Sequence, residues 1–255
     1  MKSSLRAALA AALTLVATCA ATSVARAQDD DGDQPVLGKG KYESPQNFAF
    51  ELRFGPYSPK VDDNTFAPVY DNFFGDGTRF MFGLEVDWQA YRIPYVGTIG
   101  AGLGWGYTQI TANNLVLENS GVDPSDVSQQ SSLNIMPFYG VAVLRVDTFA
   151  RNFHVPLVPY GKLGVSYALW WVNDGIGTAT NDAGTKGRDL SAGTQAAVGA
   201  MFLLDILEPG AARAADVDAG VNNSYLFFEW SMSNYPGNQM NVGSNNWVTG
   251  LAFEI

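Results

Sequence analysis

The nine residues Trp247-Val-Thr-Gly-Leu-Ala-Phe-Glu-Ile255 alternate without a break between large apolar and small or polar side chains. A strand turns successive side chains to opposite faces. Trp247, Leu251, Phe253 and Ile255 therefore share one face, and Val248, Gly250, Ala252 and Glu254 share the other. A strand with one greasy side, ending on a hydrophobic residue, is how outer-membrane β-barrels usually close. These four apolar residues form the expected barrel-closing strand, and they are the expected contact with the barrel assembly machinery. A soluble sheet could finish the same way, so the weight of the argument falls on recurrence.

The pattern does recur. Phe48, Phe50, Leu52 and Phe54 oppose Ala49, Glu51, Arg53 and Gly55, and in Thr78 to Ala90 the series Phe80, Phe82, Leu84, Val86, Trp88 opposes Arg79, Met81, Gly83, Glu85, Asp87. Val96 to Thr108, Tyr160 to Trp171, Leu190 to Leu204 and Ser224 to Ser231 behave alike; Asn134 to Asp147 does so clearly only in its second half. With Trp247 to Ile255 this makes eight strands, an even number, as single-chain bacterial barrels require. The predicted fold is all-β: an eight-stranded antiparallel up-and-down transmembrane β-barrel. Several strands exceed the roughly 9–11 residues that span a bilayer, so they are expected to project beyond it.

The connections alternate in length. Ser58–Gly77, Ile110–Leu133, Val172–Gly187 and Met232–Asn246 are long, polar and rich in Gly, Asn, Asp and Ser, and are expected to face outward. The inner connections are a tight Ile93-Pro94 turn, Thr148–Leu157 and Asp205–Asn222, the last with a stretch suited to a short helix. Long outside and short inside is the outer-membrane habit. Aromatic residues sort by depth into two expected interfacial belts, with Tyr57, Trp105, Tyr107, Trp171, Trp230 and Trp247 at the outer strand ends and Trp88, Tyr91 and Tyr95 at the inner.

Residues 1–27 read as a cleaved signal peptide: Lys2 and Arg6, an apolar stretch Ala7 to Ala21, and a small-x-small site Ala25-Arg26-Ala27. Cys19, the one cysteine, lies inside it, so neither disulfides nor thiolate metal sites are expected in the mature chain. Residues 28–46 are an acidic periplasmic lead-in, and 47–255 the outer-membrane barrel. Asp plus Glu number 25 against 15 Lys plus Arg, which argues against a nucleic-acid partner. Past the signal no run of 18 or more apolar residues suggests a membrane helix.

Candidate chemistry concentrates on the inward faces. Glu51, Arg53, Arg79, Glu85, Asp87, Arg145, Asp147, Lys162, Gln195 and Glu229 carry both signs on neighbouring strands. Charges removed from water need partners, so these predict a lumen network of ion pairs that holds the wall together. An eight-stranded lumen is only wide enough for side chains to fill it. The glycines Gly100, Gly102, Gly104 and Gly106 alternate strictly, unlike a phosphate-binding turn, and read as space for bulky neighbours such as Tyr139, Phe227 or Trp170. His154, the sole histidine, falls in an inner connection, the wrong side for an outer-leaflet Ser-His hydrolase. Asp62, Asp63, Asp71 and Asp76 are loop acids, more simply solvated than bound to calcium. No metal and no cofactor are expected.

Four segments carry a resemblance: Phe50-Glu-Leu-Arg-Phe-Gly-Pro-Tyr57, Phe82-Gly-Leu-Glu-Val-Asp-Trp-Gln89, Val158-Pro-Tyr-Gly-Lys-Leu-Gly164 and Gly220-Val-Asn-Asn-Ser-Tyr-Leu-Phe-Phe-Glu229. The chain from about Phe48 to Ile255 resembles a family of small outer-membrane β-barrel proteins of myxobacteria and related deltaproteobacteria. The resemblance implies location and fold, and brings neither an activity nor catalytic residues. The expected role is structural or surface-interacting, through the outer loops, with outer-membrane lipid and lipopolysaccharide as partners. A narrow gated channel or transporter using Arg53, Glu85 and Asp87 is the alternative, and a lipid-modifying enzyme the weakest reading.

Overall fold

The computed structural model describes residues 47–64, 70, 74, 77–113, 130–153, 155–173, 177–180, 184, 186–236 and 240–255. His154, Asp71 and Asp76, the signal peptide and the lead-in lie outside them. Eight strands follow one another: β1 (Phe48–Tyr57), β2 (Arg79–Ile93), β3 (Gly97–Asn113), β4 (Gln130–Arg145), β5 (Leu157–Asn173), β6 (Arg188–Leu203), β7 (Asn223–Asn234) and β8 (Asn245–Glu254). Each pairs antiparallel with the next, and β1 pairs with β8 from Ala49↔Glu254 to Phe54↔Thr249. The barrel is closed and up-and-down.

Two helices sit in connections at the end where β2 turns into β3: α1 (Thr148–Phe153) and α2 (Pro209–Ala219). α2 overlaps the Asp205–Ala215 stretch expected to be helical, but begins only at Pro209 and runs on to Ala219. A proline in its first turn and Gly220 in the left-handed conformation (φ 68°) fix its ends. α1 is too short to show a helical period in sequence. Its Thr148 hydroxyl donates to the carbonyls of Tyr95 and Val96, which ties it to the tight β2–β3 turn.

Alternation works here in reverse of a water-soluble barrel. The outward positions carry Leu163 at 68 % exposure, Phe80 at 65 % and Leu103, Val198 and Phe228 at 58 % each, whereas Glu51 and Glu229 inside are at 0 %. Trp88 and Tyr91 both face out although three residues apart, because a bulge between them shifts the register against β3.

β3 and β4 run further than their apolar alternation suggests, staying paired to Asn113↔Gln130. In this extension the polarity of the faces inverts: Ile110, Leu133 and Ile135 point inward and are buried, while Gln109 and Thr111 are exposed. A strand whose outer face returns to water loses the greasy exterior that marked it.

The interior is filled by side chains. Gly104 lies opposite Tyr139, and a Cβ there would stand 2.0 Å from the tyrosine Cζ. Gly102 makes room for Asp87 and Gly106 for Pro137, while Phe227 packs over Gly250 rather than over this ladder. Gly104→Val is therefore expected to cost about 1–3 kcal/mol by overpacking. Urea unfolding should show it, and a Gly104→Val/Tyr139→Leu double variant should lose less than the two single losses added.

Candidate functional site

Three layers of side chains occupy the lumen. At the end carrying the long connections is an apolar plug of Tyr57, Ile110, Leu133, Ile135, Ala168, Tyr235 and Val242, with Tyr70 against them. The β7–β8 connection supplies part of it by folding inward. Tyr57 donates its hydroxyl to the Val242 carbonyl, Ser191 donates to the Met240 carbonyl at 2.9 Å, and the Tyr235 and Ser166 hydroxyls meet at 2.6 Å. The Asn241 side chain, itself buried, accepts from the backbone N–H groups of Tyr235 and Gly243, both at 3.1 Å. Burial raises the Tyr235 hydroxyl above the usual phenol range, so it stays a neutral partner. Tyr57 belongs here, 4 % exposed, and not in the outer aromatic belt where sequence placed it. Its parity is that of Glu51 and Arg53, which face inward.

The middle layer is ionic. β1 and β2 set Glu51 directly opposite Glu85, an arrangement of like charges that needs cations between them. Lys162 from β5 bonds both carboxylates at 2.7 Å. Arg53 contacts Glu51 and, at 2.8 Å, Glu85 with one guanidinium nitrogen and Glu229 with another. Arg145 reaches Asp87, Glu51 at 3.1 Å and Glu254 at 3.4 Å. Tyr139 donates to Glu85 at 2.7 Å and Tyr160 to Glu229 at 2.8 Å. Arg53 also lies over the rings of Tyr139 and Phe227, at 5.9 and 5.5 Å from their centroids.

The third layer lies toward the helices. Glu254 accepts from Gln89 at 2.7 Å and from Asn223 and Tyr225 at 2.9 Å each. A cavity of about 60 Å³ beside it is lined by Arg92, Arg145, Asp147 and Tyr225 among others; a second of the same volume, lined by Arg53, Tyr139, Gln195 and Tyr235, separates the ionic layer from the plug. Each has room for ordered water.

Sequence parity assigned faces well and depth poorly. Glu51, Arg53, Glu85, Asp87, Arg145, Lys162 and Glu229 come together in one network. Arg79 and Asp147 do not join it. Arg79 stands at the first residue of β2 and donates to the carbonyls of Gly77 (2.8 Å) and Phe74 (2.7 Å), anchoring the β1–β2 connection. Asp147 lies beyond the end of β4 and binds Arg92 at 2.6 Å and Arg151 at 3.1 Å. Gln195 instead donates to Ser231 at 2.9 Å beneath the plug. Glu254, Tyr139, Tyr160 and Tyr225 were not anticipated as partners, although each has the inward parity of its strand. Trp247 and Ile255 are exposed, at 44 % and 46 %, and Leu251 and Phe253 are half-buried on the same outward face.

Glu51, Glu85 and Asp87 bring carboxylate oxygens within 4.8 Å of one another, the spacing of a metal cluster. Lys162, Arg53 and Arg145 already supply positive charge to those oxygens. The donor set is therefore that of an ion-pair network, with most lone pairs taken.

No family model matches the sequence, and no curated protein matches it. Among solved structures the chain is similar to Neisserial surface protein A, at 14 % identity over 82 % of this chain and 97 % of that one, with a TM-score of 0.45. It is similar to Ail, the attachment invasion locus protein of Yersinia pestis, at 10 % identity over 84 % and 100 % of the two chains (TM-score 0.42). A third is the outer membrane protein OprG of Pseudomonas aeruginosa, at 12 % identity over 87 % and 99 % (TM-score 0.42).

Proposed function

We propose that this chain is an integral outer-membrane barrel with a non-catalytic structural or surface-interaction role, exercised through the connections at its plugged end. The observation that carries this is the inverted surface: large apolar side chains ring the barrel outside, while ion-paired groups such as Glu51, Glu85 and Glu229 are fully buried inside. In water such a continuous apolar exterior would be a liability; in a bilayer it is the required solvent-facing surface. Lipid and lipopolysaccharide are then the immediate neighbours, and the outward face of Trp247, Leu251, Phe253 and Ile255 is the feature for assembly machinery to read. The plug closes one end of the lumen and the ion pairs cross its middle, which favours a wall-building role for the charges over a conducting one. The resemblance to small barrels of myxobacteria and related deltaproteobacteria is in keeping with this reading.

In boiled and unboiled outer-membrane fractions on a denaturing gel, the protein is expected in that fraction with a heat-dependent change in mobility. A soluble periplasmic protein without the change would sink the proposal.

A further inference from the structure

The fully buried part of the ionic layer is not neutral. Glu51, Glu85, Asp87 and Glu229 face Arg53, Arg145 and Lys162, and none of these seven side chains is more than 7 % exposed. One negative charge is in excess. Glu254 stands apart, 10 % exposed, its oxygens held by neutral donors and by Arg145.

The oxygens show where the excess resides. Both oxygens of Glu51, Glu85 and Glu229 accept from a cation or a tyrosine. Asp87 accepts from Arg145 at Oδ2, and its Oδ1, buried, has no partner. That atom lies over Gly102, 2.3 Å from where a Cβ would stand, and Glu85 Oε1 is 3.1 Å from the same point. Carboxylates packed this closely away from water do not both ionise; one retains a proton that both can use.

We propose that the barrel interior binds one proton at neutral pH, carried on Asp87 Oδ1 and shared with Glu85. The proton turns an orphaned acceptor into a donor and brings the buried layer to neutrality. The surroundings are fixed on every side: Glu51 and Arg53 from β1, Glu85 from β2 itself, Gly102 from β3, Tyr139 and Arg145 from β4, Lys162 from β5, Glu229 from β7 and Glu254 from β8. A metal ion in this place would need several oxygen ligands, and Asp87 Oδ1 is the one oxygen of these four carboxylates that no donor reaches.

Infrared spectroscopy of the full chain, refolded in phospholipid vesicles at pH 7, tests this directly, because a protonated carboxyl and a carboxylate absorb separately. The expected result is a carboxylic-acid carbonyl band that moves when aspartate side chains carry 13C and disappears in Asp87→Asn. It should persist in Asp205→Asn, which removes the half-buried carboxyl that accepts from the Ser224 N–H and whose affinity for a proton burial also raises. Should Asp87→Asn fail to fold, the labelled wild-type chain and Asp205→Asn decide alone. No band, a band insensitive to labelled aspartate, or a band lost in Asp205→Asn overturns the proposal. So does stabilisation of the wild type, and not of Asp87→Asn, by added sodium or calcium, which would identify a metal cation in the proton's place.

Discussion

Replacing Arg53 with alanine is expected to destabilise the barrel by about 3–5 kcal/mol, the loss that follows when one partner of a buried ionic network is removed. The guanidinium touches Glu51, Glu85 and Glu229. Without it Glu229 keeps Lys162 only at 3.8 Å, and Glu85 keeps Lys162 as its one cation, a lysine it shares with Glu51. The measurement is the urea midpoint of the heat-modifiable form in detergent or lipid. Arg53→Lys should fall between alanine and wild type, since it restores charge but not the fork that spans three carboxylates. A midpoint for Arg53→Ala equal to that of the wild type would show that the network holds the wall by other means.

The second large effect separates membrane from water. Leu163 follows Lys162 in β5, so the two neighbours mark the same depth on opposite faces, one 68 % exposed and the other 5 %. If lipid covers the outer face, Leu163→Arg costs about 2–4 kcal/mol near mid-depth. In water, a substitution at so exposed a site would stay within about 0.5 kcal/mol. Gln109→Arg, on the outward face of the β3 extension, serves as the shallow control and should change little. Equal, small effects at both positions would remove the bilayer reading.

What sequence conveys about such a chain is parity. Two-residue periodicity placed Glu51, Arg53, Glu85, Asp87, Arg145, Lys162 and Glu229 on the inside, because in a closed barrel a face has only two choices. Depth is set by register and by strand ends, which periodicity does not encode. Arg79 and Asp147 have inward parity but stand at opposite ends of the barrel, each held by local partners. Tyr57 was misplaced for a related reason: an aromatic near a strand end suits an interfacial belt, yet parity turns it inward under Val242. The plug was not legible at all, since it depends on the β7–β8 connection folding back into the mouth. The extensions of β3 and β4 escaped notice because their apolar residues change sides.

The closing seam has a kinetic consequence. Its register joins Ala49 to Glu254 and Phe54 to Thr249, so almost the whole described chain lies between the partners. Contacts of such high order are slow to form, because the entropy of closing the intervening chain is spent before any pairing returns it. Until they form, β1 and β8 are open edges whose free N–H and C=O groups can recruit the edge of another copy. The ionic layer is equally late, since Arg53 on β1 must meet Glu229 on β7. Passage through the incompletely closed sheet is thus the stage at which this chain is most exposed to misassembly. Substitutions that weaken the seam should raise the yield of aggregate more than they lower the stability of barrels already closed.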